Sequence, residues 1–338
     1  MWFGTPNPGR RAVGASRGVE PMLAPEPSRA GWFSRDEAIM GTAIRVELWC
    51  EDRPRAEAAM AAVMDEMHRI DRAMSPFKPE SELSVINRDA ATKPVRISGE
   101  MFTLIARAIE FSELSGGAFD ITYASVGHLY DYREGIRPSD AAIVRAREAI
   151  GHRHLRLDPR TRSIRFARPG VRIDLGGFAK GYAVDNGAAI LQRHGIRHAI
   201  VTAGGDSHVL GDRRGRPWTI AIRHPRRASE VVALLPLEDT AISTSGDYER
   251  FFERDGVRCH HLIDPKTGKS PDSIHSVTIL ASDGLTTEAL SKSVFVLGVE
   301  RGLHLIESLS GIDAIVVDAA GTLHYSSGLL SGESATRQ

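Results

Sequence analysis

Cysteine is nearly absent, with Cys50 and Cys259 the only two in 338 residues. That excludes a disulfide framework and a thiolate zinc site; a single bridge is the alternative, and two buried thiols are the expected state. Long apolar runs are missing too, none approaching the ~20 residues of a membrane-crossing helix. The basic start at Arg10 and Arg11 is followed by no apolar core, so no secretory leader is read. No cysteine follows such a segment to accept a lipid, and the chain as written is expected in the cytoplasm; a different true start codon is the one route to a hidden export signal. Net charge is absent, since 43 basic and 43 acidic side chains cancel. A neutral balance gives no global field for nucleic acid or an anionic membrane. No H-E-x-x-H, Cys-His, G-x-S-x-G or Walker pattern occurs, which removes support for zinc protease, serine hydrolase and P-loop readings.

What is present is globular. The apolar share is 42% and the charged share 25%, as in soluble domains. Residues 1–35 hold five prolines, five glycines and five arginines against Glu20 and Glu26, and read as a disordered arm. The folded domain is expected over 36–328, with a frayed tail over 329–338. Ile44, Val46 and Leu48 alternate as on a strand. Ala59, Val63, Met67, Ile70 and Met74 recur at helical spacing. Ser81 and Ser139 are expected helix N-caps, and Gly116-Gly117 a left-handed stop. Further strands are expected over 155–158, 163–166, 199–209, 218–222, 231–235, 241–245, 274–281 and 314–318. Helices are expected from Phe178 to about His194 and over 286–297 and 302–309. The mixture lacks strict βαβ alternation, which predicts an α+β domain with a mixed sheet and flanking helices.

One stretch organises the chain: Ile173–Asp185, IDLGGFAKGYAVD. Ile173-Asp174-Leu175 suits the end of a buried strand, and Gly176-Gly177 permits a turn and a close approach. A helix follows at once. Amides at a helix start point at an anion, and Lys180 in the first turn is placed to reach a phosphate oxygen. Gly181 is out of register with G-x-G-x-x-G, so the ordinary dinucleotide fingerprint is not met. Taken alone, the segment reads more readily as an ordinary strand-to-helix connection than as a phosphate site.

Other small polar clusters also sit beside glycines: Asp120 with Thr122, Asp206 after Gly204-Gly205, Thr244-Ser245-Gly246, and His261 with Asp264. Singly, each has an account as a cap or a turn; together on strand ends they suggest one polar pocket. His260 and His261 are adjacent, so on a strand they face opposite ways. An imidazole with a carboxylate three residues on is either a general base or a turn-stabilising group.

In chain order the phrases are MGT at Met40, SPF and SELSVIN from Ser75, GAFDIT from Gly117, IDLGGFAKGYAVD from Ile173, AGGD from Ala203, STSGDYERFF from Ser243, HLIDPKTG from His261 and EALSKSVFVLG from Glu288. In that order they resemble the FAD:protein FMN transferase family, the ApbE-type flavin transferases, from about Met40 to Ser327. The resemblance implies a single α+β domain that grips FAD and splits its pyrophosphate with magnesium. AMP leaves, and FMN passes to a threonine of a flavoprotein acceptor carrying an Asp/Ser/Thr-Gly-Ala-Thr-like motif. By the same resemblance, Met40, Phe77, Ala118, Phe119 and Asp120 contact flavin and adenosine. Asp174 and Lys180 lie near the FAD, Asp174 is counted with the catalytic residues, and Leu262 and Ile263 lie against the cofactor. His261 matches the base that takes the acceptor proton.

The implied magnesium site is a carbonyl at Gly177 with an aspartate and a threonine four residues apart, which here are Glu288 and Lys292. Glutamate can ligate a hard cation; lysine cannot, having three donors and no lone pair. At i and i+4 the two also form a favoured ion pair. Two outcomes are open: Lys292 puts its ammonium where the cation would be, or the pair closes the site and the protein binds FAD as a non-catalytic carrier. Asp283, Thr286 and Thr287 are substitute metal ligands if the helix is shifted, and Thr287 and Ser291 carry oxygens on the same helix.

Overall fold

The computed structural model describes residues 30–330 except Ala228 and Asp255. Most of the expected N-terminal arm, and the tail beyond residue 330, lie outside the described residues. Strand structure is present before the expected domain boundary at residue 36. Strand β1 (Gly31–Ile39) takes in residues assigned to the arm, because it pairs along its whole length with β2 (Thr42–Cys50). The hairpin turn is Met40-Gly41, with φ of 55° and 69°. Two left-handed residues match the twist of a tight hairpin, and the non-glycine at Met40 carries the strain.

Helix α1 (Arg53–Met74) buries all five residues of its expected stripe, with Ala56, Met60 and Met64 completing the face. Next come α2 (Glu82–Asp89), β3 (Val95–Arg96) and α3 (Gly99–Leu114). The Ser81 hydroxyl accepts the Ser84 amide, as its capping role requires. Gly116 and Gly117 both have positive φ, which stops α3 as expected. A 3-10 turn over Ile121–Tyr123 and the short α4 (Ala124–Gly127) lead to α5 (Asp140–Arg147), capped by Ser139. The hairpin of β4 (Leu155–Asp158) and β5 (Ser163–Phe166) forms a small sheet with β3.

Residues 171–175 form no strand, contrary to expectation. Their backbone groups are satisfied elsewhere. The Asn87 side chain brackets Ile173, accepting its N–H at 2.8 Å and donating to its carbonyl at 2.9 Å. Asp174 N–H donates to Ile121 at 3.0 Å. A side-chain amide replaces a neighbouring strand, so a ladder is unnecessary.

Helix α6 (Ala179–Arg193) then leads to the hairpin of β6 (Ala199–Ala203) and β7 (Asp206–Leu210), turning at Gly204-Gly205. A second hairpin, β8 (Trp218–Arg223) with β9 (Val231–Leu237), precedes β10 (Ala241–Gly246). The β11 (Phe251–Arg254) and β12 (Val257–His260) pair stands apart from the main sheet. After β13 (Ile274–Ala281) come α7 (Gly284–Leu297), α8 (Val299–Glu307), β14 (Asp313–Asp318), β15 (Leu323–Tyr325) and the last turn α9 (Ser327–Leu330).

The main sheet runs β1-β2-β6-β7-β10-β13-β14-β15. Every neighbouring pair in it is antiparallel. The α+β class therefore holds, while the mixed sheet becomes an antiparallel one, built from hairpins and helical excursions that return beside their own strand. Side chains alternate across it. Val201 joins Ile44, Val46 and Leu48 in the core with α1 and α6, whereas Ile200 joins Trp218 and Ile242 in a second cluster. Helices α1 and α6 lie on one face and the β8–β9 hairpin on the other, where Leu329 of α9 also packs. Cys50 and Cys259 are free and buried.

Candidate functional site

Four charged side chains meet where α6 and α7 face the ends of β7 and β10. Helix α6 presents Lys180 in its first turn; α7 presents Glu288 and Lys292 one turn apart. Asp206 opens β7 directly opposite Ser243 of β10. The Lys180 ammonium donates to Asp206 Oδ2 at 2.6 Å and to Glu288 Oε1 at 2.5 Å. Lys292 Nζ donates to the same Glu288 oxygen at 3.1 Å. Glu288 Oε2 accepts the Gly181 amide at 2.7 Å, and Asp206 Oδ1 accepts the Ser243 hydroxyl at 2.5 Å. The anion at this helix start is thus the protein's own carboxylate.

Glycine brings the helices together. A Cβ at Gly181 would lie 2.1 Å from the Gly284 carbonyl oxygen, and one at Gly284 would lie 2.7 Å from the Gly181 oxygen. Gly181 therefore serves backbone contact between α6 and α7. Asp185, one turn on, accepts the Gly284 and Leu285 amides at 2.7 and 3.0 Å, capping α7 from its neighbour.

The carboxylates form the floor and the ammoniums the open side: side-chain exposure is 0% for Glu288 and 2% for Asp206, against 16% for Lys292 and 23% for Lys180. Burial works against the charge on Lys180, but Asp206 and Glu288 outweigh it and hold the ammonium above its ordinary range. Burial raises Asp206, yet Lys180 and Lys292 bring its carboxyl below the usual range. For Lys292 burial wins, with Glu288 opposing, and its proton is held less tightly than usual.

His261 follows β12 directly. Its N–H donates to the Arg250 carbonyl at 3.1 Å, and its Nδ1 is buried with no hydrogen-bond partner. Burial first, then Lys292 and Arg250, push the imidazole down to about 3. Asp264 does not pair with it; its Oδ1 accepts the Lys266 amide, serving its own turn. His260 turns inward, bonded to the Pro271 carbonyl at 2.8 Å with its ring edge-on to Phe295. Asp174 sits at the glycine turn and accepts the Gly176 amide, and burial pushes its carboxyl up.

The other expected positions divide. Met40 stands at the β1–β2 turn, where Arg250 donates to the Gly41 carbonyl at 3.4 Å. Phe77 is 90% exposed on the loop between α1 and α2. Ala118 and Phe119 are buried, Phe119 against Phe111 and Phe178. Asp120 caps the 3-10 turn and accepts from the Thr122 amide, the Thr122 hydroxyl and the His152 amide. Leu262 packs in the main core, and Ile263 packs with Val126 and Ile143. Asp283 and Thr287 are committed to the first turn of α7, accepting the Thr286 amide and donating to the Gly284 carbonyl. Sequence reasoning missed Arg250, whose only signal was its place in STSGDYERFF. It also missed Tyr123, raised by burial and by Asp174.

A divalent cation held by Gly177, Glu288 and position 292 does not fit these residues. Both Glu288 oxygens are occupied, and the Lys292 stem lies 3.6 Å from where a Gly177 Cβ would stand. Among the described residues no three His, Cys, Asp or Glu side chains gather as a metal site. No helix among them is long and apolar enough to cross a membrane.

Comparison with known proteins places this arrangement. The ApbE family matches residues 40–316. The FAD:protein FMN transferase of Treponema pallidum is 32% identical over 325 residues, covering 90% of this chain and 89% of that protein. The same-named protein of Klebsiella pneumoniae is 32% identical over 289 residues, covering 84% and 89%. The solved ApbE protein of Thermotoga maritima superposes with a TM-score of 0.82 at 32% identity, over 89% of this chain and 99% of that one. Flavin transferase ApbE from Vibrio cholerae gives 0.79 at 28%, with the same coverage. The chain belongs to the ApbE family of FAD:protein FMN transferases.

Proposed function

We propose that this protein cleaves FAD, releases AMP and attaches FMN through a phosphoester to a threonine hydroxyl of a flavoprotein. The observation that carries the reading is His261, whose buried Nδ1 has no partner beside two lysines and an arginine. A neutral imidazole with an open nitrogen is the group needed to take the acceptor's proton. The threonine oxygen then bonds to the phosphorus of the FMN half. The bond from that phosphorus to the bridging oxygen breaks, and AMP departs with the electron pair. Phosphoryl transfer asks little of a protein beyond positioning and charge, which the cations near His261 supply. Burial and, after it, the same cations depress the imidazole's basicity, and an arriving pyrophosphate offsets the cations' share of that effect. Asp174 secures the Gly176 turn.

Incubating the protein with FAD and a threonine-bearing acceptor tests this, with AMP read by chromatography and the acceptor by mass spectrometry. AMP with an FMN-sized mass increase is expected. A second reading, a flavin carrier, draws on the fully paired Glu288; yellow protein without AMP would establish it instead.

A further inference from the structure

We propose that the Lys292 ammonium meets the diphosphate bridge of the bound dinucleotide in place of a divalent cation, so that binding needs no metal. This rests on the FAD reading above. The two lysines of the cluster are not equivalent. Lys180 spans both carboxylates with short hydrogen bonds. Lys292 makes one longer bond, to an oxygen Lys180 already holds. An ammonium has three donors, so Lys292 keeps two for a ligand.

Its position suits that use. Glu288 is fully buried beneath it, and the Lys292 stem runs beside side-chain-free Gly177. A ligand at the glycine turn would therefore lie against the Lys292 stem, on the side of the cluster where the ammonium keeps its exposure. Neutralising Glu288 does not explain this lysine, because Lys180 and the Gly181 amide already satisfy that carboxylate. Burying a further ammonium costs free energy, and a polyanion is the partner that offsets it. A compact point charge binds phosphate without the octahedral oxygen shell magnesium demands. The role assigned to Lys180 from sequence thus passes to Lys292, and Lys180 becomes a positioning residue.

The experiment is equilibrium binding of FAD, read by flavin fluorescence, with EDTA or with magnesium chloride. Wild-type affinity is expected to agree within about twofold between the two conditions. Lys292→Met should weaken FAD at least about tenfold in EDTA, the scale of one lost charge-assisted contact. Lys292→Arg, which keeps the charge, should recover most of it, and thermal melting confirms that both variants fold. Tightening of wild type by tenfold or more with magnesium, or undiminished affinity in Lys292→Met, overturns the proposal while leaving the FAD reading intact. Absence of FAD binding by wild type in either buffer overturns both.

Discussion

Lys180 and Glu288 lie 108 positions apart in the chain and meet at 2.5 Å. The contact joins the first turn of α6 to the middle of α7, and the Gly181 amide reinforces it on the second carboxylate oxygen. Charge at the site and the mutual position of two helices thus depend on one side chain.

Glu288→Ala therefore leaves two part-buried ammoniums facing only Asp206. Breaking one side of a buried ionic network costs about 3–5 kcal/mol, and urea unfolding should show a loss of that size. Glu288→Gln retains an acceptor for the Gly181 amide, and its midpoint should fall between those of wild type and the alanine variant.

Gly181→Ala makes a sharper claim, since the added carbon would meet the Gly284 carbonyl at 2.1 Å with backbone on both sides. The helices must separate, at about 3 kcal/mol for such overpacking. Gly117 is the control: nothing lies within 4 Å of a Cβ there, but φ is +82°, so alanine should cost about 1–2 kcal/mol from backbone strain alone. Equal melting temperatures for the two variants would refute the packing argument.

His261→Ala tests the base. General-base catalysis contributes about 10²–10⁴-fold, so FMN transfer at saturating FAD should fall by that factor. FAD affinity should stay within a few-fold, because the imidazole's task is the acceptor proton. Stopped transfer with unchanged binding supports the assignment; unchanged transfer removes it.

Much of this was legible in the chain. The α1 stripe, the alternation at Ile44, Val46 and Leu48, and the Ser81 and Ser139 caps are local patterns, and local sequence determines them. Gly177, Glu288 and Lys292, which the resemblance assigns to one metal site, do lie together, although as an ion pair beside a glycine rather than as a ligand set. What stayed hidden depends on contacts distant in sequence. Residues 173–175 look like a strand in apolar pattern, yet Asn87, 86 positions away, takes both backbone groups of Ile173, and Ile121 accepts the Asp174 amide. Gly181 reads as part of a phosphate turn until Gly284 is seen against it. The capping role of Asp120 is complete only with the His152 amide, which reaches it from 32 positions on. No periodicity encodes which of two lysines will hold two carboxylates, because that choice is made only when α6 crosses α7.

The pH dependence of stability gives the last test. His261 is lowered to about 3 from an ordinary 6.5, by burial first and then by Lys292 and Arg250. Between those values the unfolded chain binds the proton and the native protein does not. Stability should therefore rise with pH through that window, level off above about 6.5, and be lost as acid takes it toward 3. The limiting slope for one such proton is about 1.4 kcal/mol per pH unit. Asp206, held below its usual 3.8, adds loss of the same sign at the acid end. Asp174, raised by burial, acts in the opposite sense as pH climbs past 3.8. Comparing wild type with His261→Gln isolates the imidazole, since both carboxylates remain. Unfolding free energies measured from about pH 4 to 8 should be flatter in the variant below 6.5, by up to that slope. Parallel curves would mean that native His261 takes up its proton as readily as the unfolded chain does, and that it is not enclosed beside Lys292 and Arg250.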